Sequence, residues 1–178
     1  GGANVAVGMW AMNYMGMGGM NIAIGCNAMR GSTSNVLCNT GSGNIALGTQ
    51  SAYSLTCGQC NMVMGYFSGT CLSCGDLNIF MGNYAGQRIT TGDANIAMGY
   101  HSGAGNSDST GQRNITIGEY TGYGLTDGSC NVIIGHYTGQ NVSSGEQNIL
   151  FGRFAGQQLT TGDHNIFAGL YSGGKCTL

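Results

Sequence analysis

The sequence predicts an all-β fold, a parallel β-solenoid (β-roll or β-helix) of about ten 17-residue coils with two short strands per coil. Three observations predict it. Asn followed by Ile, Val or Met recurs at Asn4, Asn21, Asn44, Asn61, Asn78, Asn95, Asn114, Asn131, Asn148 and Asn165, at spacings of 17, 23, 17, 17, 17, 19, 17, 17 and 17. Each Asn opens a short apolar alternation that ends at Gly. Glycine makes up 35 of the 178 residues and Pro none, and the glycines fall at fixed places in the unit.

Positions are counted from the Asn as 1. The chain reads as one repeat domain over residues 1–178, with coils starting near 4, 21, 44, 61, 78, 95, 114, 131, 148 and 165. Six extra residues fall in the second coil and two in the sixth. Positions 2 and 4 are apolar in almost every copy, as in Val5/Val7, Ile45/Leu47 and Ile115/Ile117. Period-two alternation with β-branched residues is a strand signal, and this pair is read as facing the core. Gly8, Gly25, Gly48 and their equivalents then turn the chain. A second apolar position at Leu55, Leu72, Ile89, Leu125, Val142 and Leu159 sits among Ser and Thr and precedes another Gly, which reads as a second strand and turn. Helix is disfavoured, because each interior Gly costs up to ~1 kcal/mol. Coils stacked at ~4.8 Å would make a rod on the order of 48 Å long. The Asn residues would then form a structural ladder, pairing amide to amide or capping the turn backbone.

Position 3 (Ala6, Ala23, Ala46, Val63, Phe80, Ala97, Thr116, Ile133, Leu150, Phe167) lies on the opposite face of the strand and is also apolar. Position 7 is largely aromatic: Trp10, Phe67, Tyr84, Tyr120, Tyr137, Phe154 and Tyr171. Two apolar faces on one thin coil imply a second buried surface, for which other copies of the chain are the simplest source. The competing reading closes a wider coil with position 7 as core.

Composition excludes several classes. Only 7% of residues are charged, with Lys+Arg 5 against Asp+Glu 7, so binding to nucleic acid by phosphate neutralisation is not expected. At 42% apolar the chain is too hydrophobic for a solvated disordered tail. No apolar run reaches the ~20 residues of a membrane span, and no basic segment precedes an apolar stretch as in a signal peptide. Gly1–Ala3 occupy the last slots of a unit, and Thr177 and Leu178 the slots just before them. The expectation is a segment of a longer array or a processed protomer that stacks end to end into a filament.

The units NIAIG (residues 21–25), NIAMGYHSG (95–103) and NIFMGNYAGQRITTGD (78–93) resemble repeats of phage and large-virus tail fibres and surface fibres. The NIAIG core is also similar to the head repeats of trimeric autotransporter adhesins, whose unit is shorter. The resemblance spans essentially the whole chain. It implies a non-enzymatic fibre, stalk or adhesive rod outside the cell, on a cell surface or on a virion, and by analogy with the adhesins a homotrimer. A surface receptor or glycan is the implied partner.

Candidate chemical sites are few. Cys57-x-x-Cys60 and Cys71-x-x-Cys74 have a four-Cys zinc spacing. However, Cys57 and Cys74 both hold position 14 of consecutive coils, where a separation near ~5 Å suits a disulfide; buried free thiols are the third reading. The remaining cysteines are Cys26, Cys38, Cys130 and Cys176. Asp76, Asp93, Glu146 and Asp163 share position 16, as a cation row or as solvated turn residues. His101, His136 and His164 hold different positions and make no ligand set. Asn114 and Asn141 begin N-glycosylation sequons, with Asn141 in the polar half of its coil. No catalytic residue and no cofactor is expected. A second function class is an ice-binding solenoid, from the hydroxyl rows Thr56, Ser73, Thr90, Thr126, Ser143 and Thr160 at position 13 and Thr91, Ser144 and Thr161 at position 14, which Asp127 and the two-residue insertion near Ser107–Thr110 interrupt. A solenoid lyase would need clustered carboxylates and bases, which seven scattered acids do not supply.

Overall fold

The computed structural model describes residues 2–33 and 39–174. Cys38 and Cys176 lie outside them. The described chain is all β, with no helix. One three-residue strand forms per coil: β1 (Val5–Val7), β2 (Ile22–Ile24), β3 (Ile45–Leu47), β4 (Met62–Met64), β5 (Ile79–Met81), β6 (Ile96–Met98), β7 (Ile115–Ile117), β8 (Val132–Ile134), β9 (Ile149–Phe151) and β10 (Ile166–Ala168). They pair in parallel, in chain order, as one ten-stranded sheet. Register is like to like, for example Ile79↔Ile96, Phe80↔Ala97 and Met81↔Met98. The extra residues of coils two and six leave it intact: Ile22 still pairs Ile45 and Ile96 still pairs Ile115. Nine spacings of ~4.8 Å give a sheet about 43 Å along the rod.

Glycine at position 5 ends each strand for two reasons. Its φ lies far in the positive region, +128° at Gly48 and +136° at Gly82. A Cβ on Gly48 would also stand 2.6 Å from the carbonyl oxygen of Gly65 in the next coil. Stacking therefore forbids a side chain at this corner.

The inward face is the reverse of the sequence reading. Position 3 fills the core: Ala23, Ala46, Val63, Phe80, Ile133 and Leu150 are all fully buried. Positions 2 and 4 point outward, with Val5, Ile24, Met62, Ile149 and Phe151 exposed. Alternation shows which residues share a face but not which face is inside. The coil is thin, so its interior accepts one side chain from the strand, opposed by position 12 (Leu55, Leu72, Ile89, Leu125, Val142, Leu159). Two columns of Ile and Met do not fit there. Position 9 is Gly from the fourth coil on, and a Cβ on Gly86 would lie 2.7 Å from the Phe80 ring.

The second half of each coil is a stack of turns rather than a strand ladder. Neighbouring coils are joined there by backbone bonds from turn to turn, such as Cys71 N–H to Gln87 O at 3.0 Å and Ser73 N–H to Thr90 O at 2.9 Å, without a continuous strand ladder. The described residues hold one isolated bridge, Ile89↔Ser109. Coil six is the gap in the core. Its insertion places Ser109, not an aliphatic residue, beside Ile89, and the apolar core splits into one cluster ending at Ala97 and another beginning at Leu125. Between them lies a cavity with room for about one water, lined by Ala97, Ser109, Thr116 and Leu125 among others. The Ser102 hydroxyl bonds the Thr116 Oγ1 there at 2.9 Å.

Candidate functional site

Every polar column inside the coil is spent on stacking. The Asn ladder is the clearest. The Asn78 backbone N–H donates to Asn61 Oδ1 (2.9 Å), and its Nδ2 donates to the same oxygen (3.0 Å) and to Gly92 O (2.9 Å). Asn78 Oδ1 in turn accepts the Asn95 N–H at 2.9 Å. The same pattern runs through Asn21, Asn44, Asn61, Asn95, Asn114, Asn131 and Asn148, all buried, and ends at Asn165. From Asn21 to Asn148 each Asn closes its own coil, position 1 to position 15, and joins it to the coil before, whereas Asn165 joins Asn148 and donates its Nδ2 to Asp163 O. Asn114 is therefore inaccessible, whereas Asn141 is exposed and donates to Gln157 O at 2.8 Å.

The acids of position 16 do similar work. Asp76 Oδ1 accepts the Gln59 N–H (2.7 Å), Asp93 Oδ1 the Asp76 N–H (2.8 Å), and Asp163 Oδ1 the Glu146 N–H (2.7 Å). No group of three or more His, Cys, Asp or Glu able to hold a metal occurs among the described residues. Cys57 and Cys74 are disulfide-bonded across adjacent coils, with Cα atoms 4.7 Å apart. Cys60 is a free thiol on the surface, and Cys71 a half-buried one whose pKa burial raises. The hydroxyl row at position 13 also turns onto the solenoid: Thr56 Oγ1, Ser73 Oγ, Thr90 Oγ1 and Ser143 Oγ each donate to a carbonyl of the next coil at 3.1–3.2 Å.

Two surfaces are not used this way. The first is the outward ribbon of positions 2 and 4. All its side chains are Val, Ile, Leu, Met, Phe or Ala, two from each of ten strands, without one polar group. Exposure reaches 72% at Ile166. It forms an apolar strip about 43 Å long with no polar interruption.

The second surface is the aromatic ladder of position 7. Phe67, Tyr84, His101, Tyr120, Tyr137, Phe154 and Tyr171 stack in sequence, with centroids 4.6–5.7 Å apart and interplanar angles of 2–27°. Each of these residues has φ between +52° and +60°. That backbone costs about 1–2 kcal/mol in a non-Gly residue, and an aromatic pair returns about 0.5–1.5 kcal/mol. The stack thus roughly offsets the turn it sits on. His101 lies within it, its Nδ1 buried without a partner and its pKa lowered by burial. At the other end of the rod Arg30 lies 5.1–5.6 Å from the rings of Trp10, Tyr14 and Tyr53 and donates to both tyrosine hydroxyls. Periodicity gave the column of aromatic residues; the sequence carried no signal for how the rings are turned.

No helix is long and apolar enough to cross a membrane among the described residues. No protein-family model, curated protein or solved structure matches the chain.

Proposed function

We propose that the chain is a structural rod, a fibre or filament segment working outside the cell or on a virion as an attachment fibre. In this reading its apolar ribbon is covered by further copies of the same chain around a shared axis. One observation carries the reading: the ribbon presents two unbroken apolar columns on a face the coil does not need for its own core. Burying apolar surface stabilises by roughly 25 cal/mol per Å², so a strip of this length has a strong drive to associate. The adhesin resemblance supports three copies. The Cys57–Cys74 disulfide supports an oxidising environment. The rod is read as non-enzymatic. Ice binding is the weaker reading, because four of the position-13 hydroxyls are engaged by carbonyls of the next coil.

The test uses the ribbon's own methionines, Met62, Met64, Met81 and Met98, as oxidation probes. In the parent protein, peroxide should convert them to sulfoxide more slowly than in an Ile134→Asp variant that stays folded and monomeric. Equal rates in the two proteins would refute ribbon-mediated assembly.

A further inference from the structure

We propose that position 6 of coils four to six is a binding track for an extended, β-linked hexose polysaccharide, with Tyr66 and Tyr100 as stacking platforms and Asn83 as the hydrogen-bonding group between them. The inference gives a ligand class to the attachment reading above and rests on it, but not on the number of copies in the assembly.

The ladder rings lie across the rod axis, each face covered by the ring of the next coil, so they offer a ligand only their edges. Tyr66 and Tyr100 are turned the other way. Tyr66 stands at 86° to Tyr84, and Tyr100 at 85° to both Tyr84 and Tyr120. Their planes therefore run along the rod. Both rest against the ladder, with centroids 5.5–6.2 Å from its tyrosines, and both remain open, Tyr66 at 45% and Tyr100 at 43% exposure. A tyrosine lying along a surface supplies an apolar face with a polar tip. A pyranose has the matching shape, a C–H face inside a rim of hydroxyls.

Spacing selects the polymer. The two rings are two coils apart, about 9.6 Å at parallel-strand spacing. A β-linked hexose chain turns over at each linkage, so it presents the same face at every second sugar. Asn83 holds position 6 of the intervening coil and is exposed. Its Oδ1 accepts the Tyr66 N–H at 3.3 Å, and its Nδ2 makes no hydrogen bond among the described residues. That N–H₂ is the group in the intervening coil that can donate to a hydroxyl of the middle sugar. Beyond Tyr100 the same column continues with Glu119 and His136, 3.6 Å apart, and then Arg153. A polyproline segment repeats every three residues, about 9.3 Å, and is the competing occupant. Such segments dock into slots between aromatic ridges, and here the slot between the two rings holds an amide.

Calorimetric titration of the full chain with cellohexaose and mannohexaose tests the proposal, with α-linked maltohexaose and decaproline as comparisons. Binding of at least one β-linked hexamer is expected, and of neither comparison. Tyr66→Ala and Tyr100→Ala should each weaken it by about tenfold, the loss of one stacking contact. Tyr66→Phe should keep it, because the ring and not the hydroxyl does the stacking. Absence of binding to both β-linked chains, unchanged affinity in the alanine variants, or preference for decaproline would each overturn the proposal. The alanine variants should keep the parent's sedimentation mass and circular dichroism, so that the lost affinity is not lost folding. If the parent fails to self-associate yet binds the hexamer, the assembly reading falls and the track stands.

Discussion

Replacing Asn78 with Ala removes one rung from the middle of the buried ladder. Two groups then lose their partners: the Asn95 N–H, which donated to Asn78 Oδ1 at 2.9 Å, and the Gly92 carbonyl, which accepted from Asn78 Nδ2 at 2.9 Å. Asn61 Oδ1 loses one of two donors but keeps the backbone N–H of residue 78. Both orphans sit inside the coil, where a buried unsatisfied polar group costs about 1–3 kcal/mol. The substitution should therefore destabilise by about 2–6 kcal/mol, a large part of a typical domain's stability. Urea unfolding followed by circular dichroism reads the loss as a shift in midpoint. Hydrogen exchange should show the Asn95 amide opening before its neighbours. Asn106→Ala, an exposed amide in the coil-six insertion, is the control and should stay within about 0.5 kcal/mol of the parent. An Asn78→Ala protein as stable as that control would refute the view that the ladder holds the coils together.

Other outcomes follow from the same geometry. Gly48→Ala combines a φ of +128° with a Cβ 2.6 Å from the Gly65 carbonyl, and should cost at least about 2 kcal/mol in a thermal melt. Phe80→Ala empties the largest core position and should cost about 3–5 kcal/mol by the same measure. Reducing the Cys57–Cys74 bond opens a loop of sequence separation 17 and should lower stability by about 3 kcal/mol, read as a lower midpoint in reductant. His101 titrates below the ordinary histidine value of 6.5, because burial among Tyr84, Tyr100, Tyr120 and Tyr123 disfavours the imidazolium. Above pH 6.5 folded and unfolded chains are both neutral there and stability does not change; below it the unfolded chain takes up a proton that the folded chain resists. Melting temperature should therefore fall as pH drops below that value, and His101→Phe should reduce the slope.

Much of the architecture was legible because each unit repeats its own instructions. Asn-Ile-x-Ile-Gly places a strand between a buried amide and a corner where stacking excludes a side chain, and all ten strands fall at those residues. Which face turned inward was not legible. Ile and Met at positions 2 and 4 look more like core than the Ala of position 3, and only the width of the coil decides between them. The second half of the coil reads as a strand because an apolar residue such as Leu55 or Leu72 stands among Ser and Thr just before a Gly. Turns joined by backbone bonds from coil to coil satisfy the same residues. The acids of position 16 showed as a column, but their role as acceptors for the N–H of the coil before depends on backbone direction, which composition does not carry. Ring orientation is further still from the sequence. Tyr84 and Tyr100 are the same residue type, yet one is a rung of the stack and the other lies along the rod.

The most direct test of the rod's assembly is its mass in solution by sedimentation equilibrium, under non-reducing conditions and over a range of concentrations. The account predicts a species of three times 18.2 kDa that falls to a single chain in the Ile134→Asp variant without loss of β structure. A parent protein that sediments as one chain at all concentrations would contradict it, because the apolar ribbon would then stand in water with nothing to cover it.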